Sequence, residues 1–360
     1  LKKCGKKALI VTGKHVVLSD MMAELKKALE EIGIAYFVFD GITGEPTNVM
    51  IDEGIAAYKE NGCDFCIGIG GGSPLDSAKA IAAMITNEGK IADYNGKVIE
   101  KPIPPVVAIP TTAGTGSEAT QFTVITDVEK DIKMLLKGGY LVPKIAIVDP
   151  AYTYSAPKSI TAATGMDALT HAIEAYTSRK ALPVTDTLAV SAVKRIMKYL
   201  PAAYKDGSDE KARYEMSVAS YEAGICINNS TVTLVHGMSR PIGALFHVAH
   251  GISNAMLLTK CLAFALDGAY EKFANLGREI GAATAEDDDK TASEKFIEAL
   301  NEICKICEIP TLLEYGIPKD EFFAHMEKMA HDALTSGSPG NTMKPISEQD
   351  IIEIYKKLWE

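Results

Sequence analysis

An α/β domain on a parallel sheet, followed by an all-α domain, is the fold class that this 360-residue sequence predicts. Three observations carry the prediction. Up to Asp149-Pro150, short β-branched runs alternate with helical stretches, the pattern of strand-helix-strand units. Beyond that dipeptide the strand signals stop, and Ala, Leu, Ile and Met recur at helical spacing. A hydrophobic content of 47% in a chain of this length suits two cores better than one. The expected division is an α/β domain over 1–155 and a helical domain over 156–360.

Taken in order, Ala8 to Thr12, Tyr36 to Phe39, Phe65 to Ile69, Val106 to Ile109 and Ile145 to Val148 read as strands. Helical patterns fill the gaps, among them Met21 to Ile32 and Asn48 to Asn61, each closed by a glycine. After the third strand comes Gly70-Gly-Gly-Ser-Pro-Leu-Asp-Ser-Ala-Lys79. Gly70, Gly71 and Gly72 let backbone amides approach a ligand, because no Cβ stands in the way. Ser73 is expected to cap the following helix, with Pro74 in its first turn and Asp76 completing a capping box. A free helix N-terminus of this kind suits a pyrophosphate. The spacing is not Gly-x-Gly-x-x-Gly, since Ser73 stands at the last glycine's place. A second glycine and hydroxyl loop, Pro110-Thr-Thr-Ala-Gly-Thr-Gly-Ser-Glu118, follows another strand, and two such loops place a dinucleotide across the carboxyl edge of the sheet.

In the second half, Asp167 and His171 lie in a segment, Ala162 to Ser178, that reads as helix, so these i and i+4 side chains share one face. Spacing alone also permits a local hydrogen-bonded pair. His236 falls on a helical run, and His250 precedes Gly251, where a turn is expected. One carboxylate and three imidazoles suit Fe2+ or Zn2+ with a position left open, which points to Lewis-acid chemistry. The loop Thr335-Ser-Gly-Ser-Pro-Gly-Asn reads as flexible, and Glu286-Asp-Asp-Asp-Lys as a solvated helix connection.

A net charge of −10 and a pI near 5.3 argue against nucleic acid as a partner. No run of apolar residues is long enough to span a membrane, and the first residues resemble no signal peptide, so a cytoplasmic protein is expected. The chain opens on Leu just ahead of a strand, which suggests a missing N-terminal segment. Seven cysteines include Cys63-x-x-Cys66 and Cys304-x-x-Cys307, but each pair is better explained as small packed groups on a strand or helix than as a zinc site.

Together the two loops, Asp167-Ala-Leu-Thr-His-Ala-Ile-Glu174, and His236 through His250-Gly251 resemble the iron-containing (group III) alcohol dehydrogenases in motif, spacing and order, from near Lys6 to the C-terminus. The resemblance implies a Rossmann-like N-terminal domain and a helical C-terminal domain, the architecture shared with dehydroquinate synthase. It makes Asp167, His171, His236 and His250 the metal ligands. By the same resemblance, Gly71, Gly72 and Ser73 hold the pyrophosphate, Thr111 and Thr112 line the nicotinamide and ribose side, Lys133 contacts a ribose, and Gly13, Gly70 and Thr115 are further cofactor-binding candidates. Fe2+ (or Zn2+) and NADP or NAD are the implied cofactors, a small alcohol or aldehyde the substrate, and a homo-oligomer the assembly.

Three departures from the family pattern bear on specificity. Gly13 stands where members that demand NAD carry Asp, so NADP(H) should be tolerated. Arg240 replaces a His that can relay the alcohol proton; arginine is no base at neutral pH, and it either binds an anionic group or pairs with a carboxylate. His247 is a substitute relay candidate, or else a surface histidine. Ala249 replaces a common Pro before the last ligand. The implied reaction is reversible reduction of an aldehyde or ketone; a polyol or hydroxy-acid dehydrogenase, a dehydroquinate-synthase-like lyase and a non-catalytic nucleotide-binding scaffold are the rivals.

Overall fold

A computed structural model of the chain describes every residue except Asp131. It comprises two compact units, Leu1–Thr153 and Tyr154–Glu360.

The first unit holds strands β1 (Lys7–Val11), β2 (Ala35–Phe39), β3 (Phe65–Gly70), β4 (Val106–Pro110), β5 (Phe122–Asp127), β6 (Ile132–Lys137) and β7 (Ile145–Ala146). Its helices are α1 (Lys14–Val17), α2 (Asp20–Glu31), α3 (Asn48–Glu60) and α4 (Gly72–Thr86). Five strands form a parallel sheet in the order β2-β1-β3-β4-β7. The inner strands are buried on both faces, which is why they read as unbroken apolar runs. Alternate residues serve opposite cores: Leu9, Val11 and Cys66 pack with Ile51 and Ile81, while Ala8, Ile10, Phe65 and Ile67 pack with Met22, Leu25 and Leu29. Helices α2 and α3 end as expected on glycines in the left-handed region, Gly33 and Gly62, with φ of 71° and 59°.

Two features of this unit depart from the sequence reading. Strands β5 and β6 pair antiparallel as a separate ribbon that was not expected, and β7 is only two residues long. The ribbon is fastened to α4 from a distance: Lys79 Nζ donates to the carbonyls of Thr120 at 3.1 Å and Phe122 at 2.9 Å, and the Asp76 carboxylate accepts from Val124 N at 2.8 Å. The same carboxylate accepts from Ser117 Oγ at 2.5 Å, so it is not available for the predicted capping box. Helix α4 instead starts at Gly72 with Gly71 as its N-cap and no side-chain cap. Pro74 sits in the first turn, where a missing N–H leaves no helical bond unmade.

The second unit is helical throughout: α5 (Lys158–Tyr176), α6 (Pro183–Lys205), α7 (Glu210–Asn229), α8 (Leu234–Phe246), α9 (His250–Ala265), α10 (Tyr270–Glu279), α11 (Asp289–Ile306), α12 (Leu312–Tyr315), α13 (Lys319–Thr335) and α14 (Glu348–Lys357). Helix α5 is its axis, buried at almost every position from Thr161 to Tyr176 and flanked by α6, α7 and α9. Gly251 is not a turn residue. It lies in the first turn of α9, where an added Cβ would stand 2.2 Å from the Ala163 carbonyl oxygen, so glycine is there to let α9 approach α5. The Thr335–Asn341 segment is also more fixed than its composition suggests. Ser338 and Pro339 are buried, and Pro339 packs where a side chain at Gly237 of α8 would otherwise be. In the acidic run, Asp288 caps α11 and Asp287 pairs with Lys295, so only part of it is merely solvated.

All seven cysteines are free thiols, and none joins the metal-capable cluster found among the described residues. Among those residues, no helix is long and apolar enough to cross a membrane.

Candidate metal centre and phosphate loop

Helix α5 presents Asp167, His171 and Glu174 at i, i+4 and i+7, one above another on a single face. His236 comes from the first turn of α8 and His250 opens α9. The structure brings all four sequence-predicted ligands together. Measured from the Asp167 Oδ1 atom, the imidazole Nε2 atoms lie at 3.6 Å for His236, 3.7 Å for His250 and 3.9 Å for His171. These separations are too long for hydrogen bonds. They are what ligands on one small cation require, because bonds of about 2.0–2.2 Å set tetrahedral ligand atoms roughly 3.4 Å apart. Asp167, His171 and His236 are buried and offer ligand atoms all within 4.8 Å of one another, a mutual grouping that does not include His250. The His250 side chain is 43% exposed, which marks the open side.

The surroundings fix the ligands. Burial pushes the Asp167 carboxyl up, but the His171, His250 and His236 rings beside it outweigh burial and hold it well below the usual range. Glu174, fully buried, accepts from Thr233 Oγ1 at 2.8 Å and Val235 N at 2.6 Å, and its other oxygen lies 2.6 Å from His236 Nδ1. Burial disfavours a charged His236, yet Glu174 and Asp167 beside it raise its pKa to about 9. A proton held on Nδ1 leaves Nε2 as the atom turned toward Asp167, the arrangement by which a carboxylate sets a ligating histidine's tautomer. Asn254, one turn past His250 and wholly buried, places Nδ2 at 2.8 Å from Asp167 Oδ1, 3.1 Å from His236 Nε2 and 3.3 Å from His250 Nε2. The sequence reading assigned neither residue. For Glu174 the i+7 spacing from Asp167 was a usable signal; Asn254, i+4 from His250, is recognisable only once α9 is known to start there.

Of the residues that depart from the family pattern, Arg240 lies one turn beyond His236, partly buried, with Nη1 donating to Ser338 Oγ at 2.9 Å rather than to a carboxylate. His247 is exposed at the C-cap of α8 in the left-handed region, φ 53°. Ala249 is the N-cap residue of α9.

In the first unit, the two glycine loops adjoin. Thr111 N donates to Gly70 O at 2.8 Å, Gly71 faces the Thr112 side chain, and a Cβ on Gly72 would come within 2.8 Å of Thr115. Gly70 has φ 147°, a conformation side-chain-bearing residues rarely take. With Ser73 in the first turn of α4, this cradle of bare backbone at a helix N-terminus fits a pyrophosphate. Gly13 follows β1 and caps α1, and a Cβ there would be 2.8 Å from the Ile42 carbonyl oxygen. Lys133 is paired with Glu45 at 2.7 Å.

Both parts match the same family. Residues 1–150 match the model of the iron-containing alcohol dehydrogenases, and residues 161–359 match the family's C-terminal model. The chain belongs to the iron-containing alcohol dehydrogenase family. It is 39% identical to the NAD-dependent methanol dehydrogenase of Bacillus methanolicus over 99% of this chain and 93% of that one. The lactaldehyde reductase of Escherichia coli K12 is 35% identical over 98% of this chain and 92% of its own length. A crystal structure of a 1,3-propanediol oxidoreductase superposes with a TM-score of 0.95 at 35% identity, covering 99% of this chain and 94% of that one. The Rossmann-like parallel-sheet unit and the helical unit are thus the family's fold, and the chain is an oxidoreductase of the alcohol dehydrogenase type.

Proposed function

We propose that this chain is a metal-dependent, NAD(P)-linked alcohol dehydrogenase or aldehyde reductase acting on small substrates, with Asp167, His171, His236 and His250 as the ligands of one Fe2+ or Zn2+. The observation that carries it is the convergence of three imidazole nitrogens on one carboxylate oxygen at distances suited to an ion. When bound, such an ion polarises a carbonyl oxygen or lowers the pKa of an alcohol, and a nicotinamide supplies or accepts the hydride. The chain's own residues do the rest. Glu174 orients His236 through Nδ1, and Asn254 holds the Asp167 carboxylate through its amide N–H. Gly70, Gly71, Gly72 and Ser73 offer the pyrophosphate site, with Thr111, Thr112 and Thr115 beside it. Lys133 would leave its pairing with Glu45 to reach a ribose. His247, exposed and three residues from His250, is the candidate relay residue.

The ligand assignment is tested by Asp167→Ala and His250→Ala, each expected to lose bound metal and turnover together; a variant that keeps full activity rejects it. Gly13 supports use of NADP(H), since no carboxylate stands after β1 to repel a 2'-phosphate. The expected result is catalytic efficiency with NADPH equal to or above that with NADH, measured side by side, and a large preference for NADH would refute it. Free thiols throughout suit a reducing cytoplasm, and a homo-oligomer remains the proposed assembly by analogy with the family.

A further inference from the structure

The arginines of this chain differ in how they are satisfied. Arg195 and Arg278 pair with carboxylates, Arg179 donates to two backbone carbonyls, and Arg213 donates to three oxygen acceptors. Arg240 stands apart: among the described residues it makes one hydrogen bond, to the neutral Ser338 hydroxyl, and no ion pair. The nearby acid, Glu174, acts on Arg240 only through space and forms no ion pair with it, because its oxygens accept from Thr233 and Val235 and face His236 Nδ1. A partly buried guanidinium with no paired carboxylate keeps N–H donors free for an anion, and it does not lose its proton. A divalent ion in the cluster sharpens the imbalance. Two positive charges on the ion and one on Arg240 face one negative charge each on Asp167 and Glu174, leaving one positive charge unmatched. Arg240 and His236 are i and i+4 neighbours on one face of α8, a spacing of roughly 5–6 Å between Cβ atoms. That is the span of a short carbon chain.

We propose that Arg240 is a specificity-determining residue that binds the anionic end of the substrate, so that the preferred substrates are short aldehydes carrying a carboxylate or sulfonate about one to three carbons from the carbonyl, and the corresponding alcohols. The inference rests on the alcohol dehydrogenase reading and names its substrate class. In the reducing direction, NAD(P)H gives a hydride to the carbonyl carbon and a solvent proton goes to the oxygen, yielding the hydroxy acid and NAD(P)+; the anionic group takes no part in the electron balance. Its role is binding, through the fork of guanidinium N–H donors.

The test uses the full chain loaded anaerobically with Fe2+, assayed with NADH and NADPH on butanal, 4-oxobutanoate and 2-oxoethanesulfonate. The wild type should show kcat/KM at least 10-fold higher for one or both anions than for butanal. In Arg240→Met that ratio should fall about 10–100-fold, mainly through KM, the range expected for hydrogen bonds to a charged group. Arg240→Lys should recover part of it. A wild type that prefers butanal, or a ratio unchanged in Arg240→Met, overturns the proposal. So does an equal loss of kcat on all three aldehydes, which would put Arg240 at the reacting oxygen instead. Should Arg240→Met fail to fold, competitive inhibition of the wild type by butanoate but not by butanamide decides the same question, and equal inhibition by both rejects the anion site. Inactivity toward all three aldehydes overturns the alcohol dehydrogenase reading itself, and the proposal with it.

Discussion

Metal affinity in the proposed centre should depend on Glu174 and Asn254 as well as on the four proposed ligands. Glu174→Gln can donate where the carboxylate accepts, which disturbs the Nδ1 proton of His236; Asn254→Leu keeps the side-chain shape and removes the donor to Asp167. Loss of such partners typically weakens metal binding about 10–100-fold, and chelator competition with Co2+ should show this for both variants. An unchanged Co2+ affinity would mean that the two side chains only fill space. His236 adds a pH dependence. Burial works against its charge, but Glu174 holds the ring protonated up to about pH 9, so an ion binding at Nε2 must expel a proton. Affinity should therefore strengthen as pH rises from 6 toward 9, by about tenfold per unit for one proton released, read from Co2+ titrations across that range. The grouping of the candidate ligands was legible in the sequence because Asp167 and His171 share a helix face and because His236 and His250 fall in a motif that resembles the family's. Asn254 was not, since an amide one turn from a histidine has many ordinary explanations until its three distances are known.

Elements bring these residues together through contacts that local sequence patterns do not record. Helix α9 delivers His250 only because Gly251 lets it lie against the Ala163 carbonyl, and α8 is tied to α14 by Tyr355 Oη donating to Met238 O at 2.7 Å. Gly251→Ala should push α9 from α5, at an overpacking cost of about 1–3 kcal/mol. Differential scanning calorimetry should register the lower melting temperature, and metal affinity should fall with it as His250 moves. The strands and most helices of the first unit followed from periodicity, since buried parallel strands give apolar runs and Gly33 and Gly62 mark helix ends. The β5–β6 ribbon did not, because it is secured by Lys79 and Asp76, more than forty residues away in the chain from Thr120 and Val124. Cutting that tie with Lys79→Met removes the donor to the Thr120 and Phe122 carbonyls and the cation 3.9 Å from Asp76, a loss of about 1–3 kcal/mol. Urea unfolding should show the loss, and a midpoint unchanged in Lys79→Met would assign the anchoring to backbone contacts alone.

At the scale of the molecule, the chain divides its chemistry between two compact units, each with its own core: bare backbone at a helix N-terminus in residues 1–153, and charged side chains around a helical axis in residues 154–360. A ligand that binds only the folded state stabilises by an amount set by its concentration over Kd, about 2.7 kcal/mol at a hundredfold excess. For a helical unit of this size that corresponds to a shift in melting temperature of roughly 5–10 °C. Because all four proposed ligands belong to residues 154–360, stripping the metal should lower the stability of that unit and leave the phosphate loop competent. Hydrogen exchange followed by mass spectrometry separates the two. Chelation should speed exchange in the segments around Asp167, His236 and His250, while the Gly70–Lys79 segment keeps its protection and still gains more on adding NADPH. Equal deprotection of both segments on metal removal would show that the ion supports the whole chain rather than the helical half, and would move the metal from a catalytic role within one unit to a structural role shared by both.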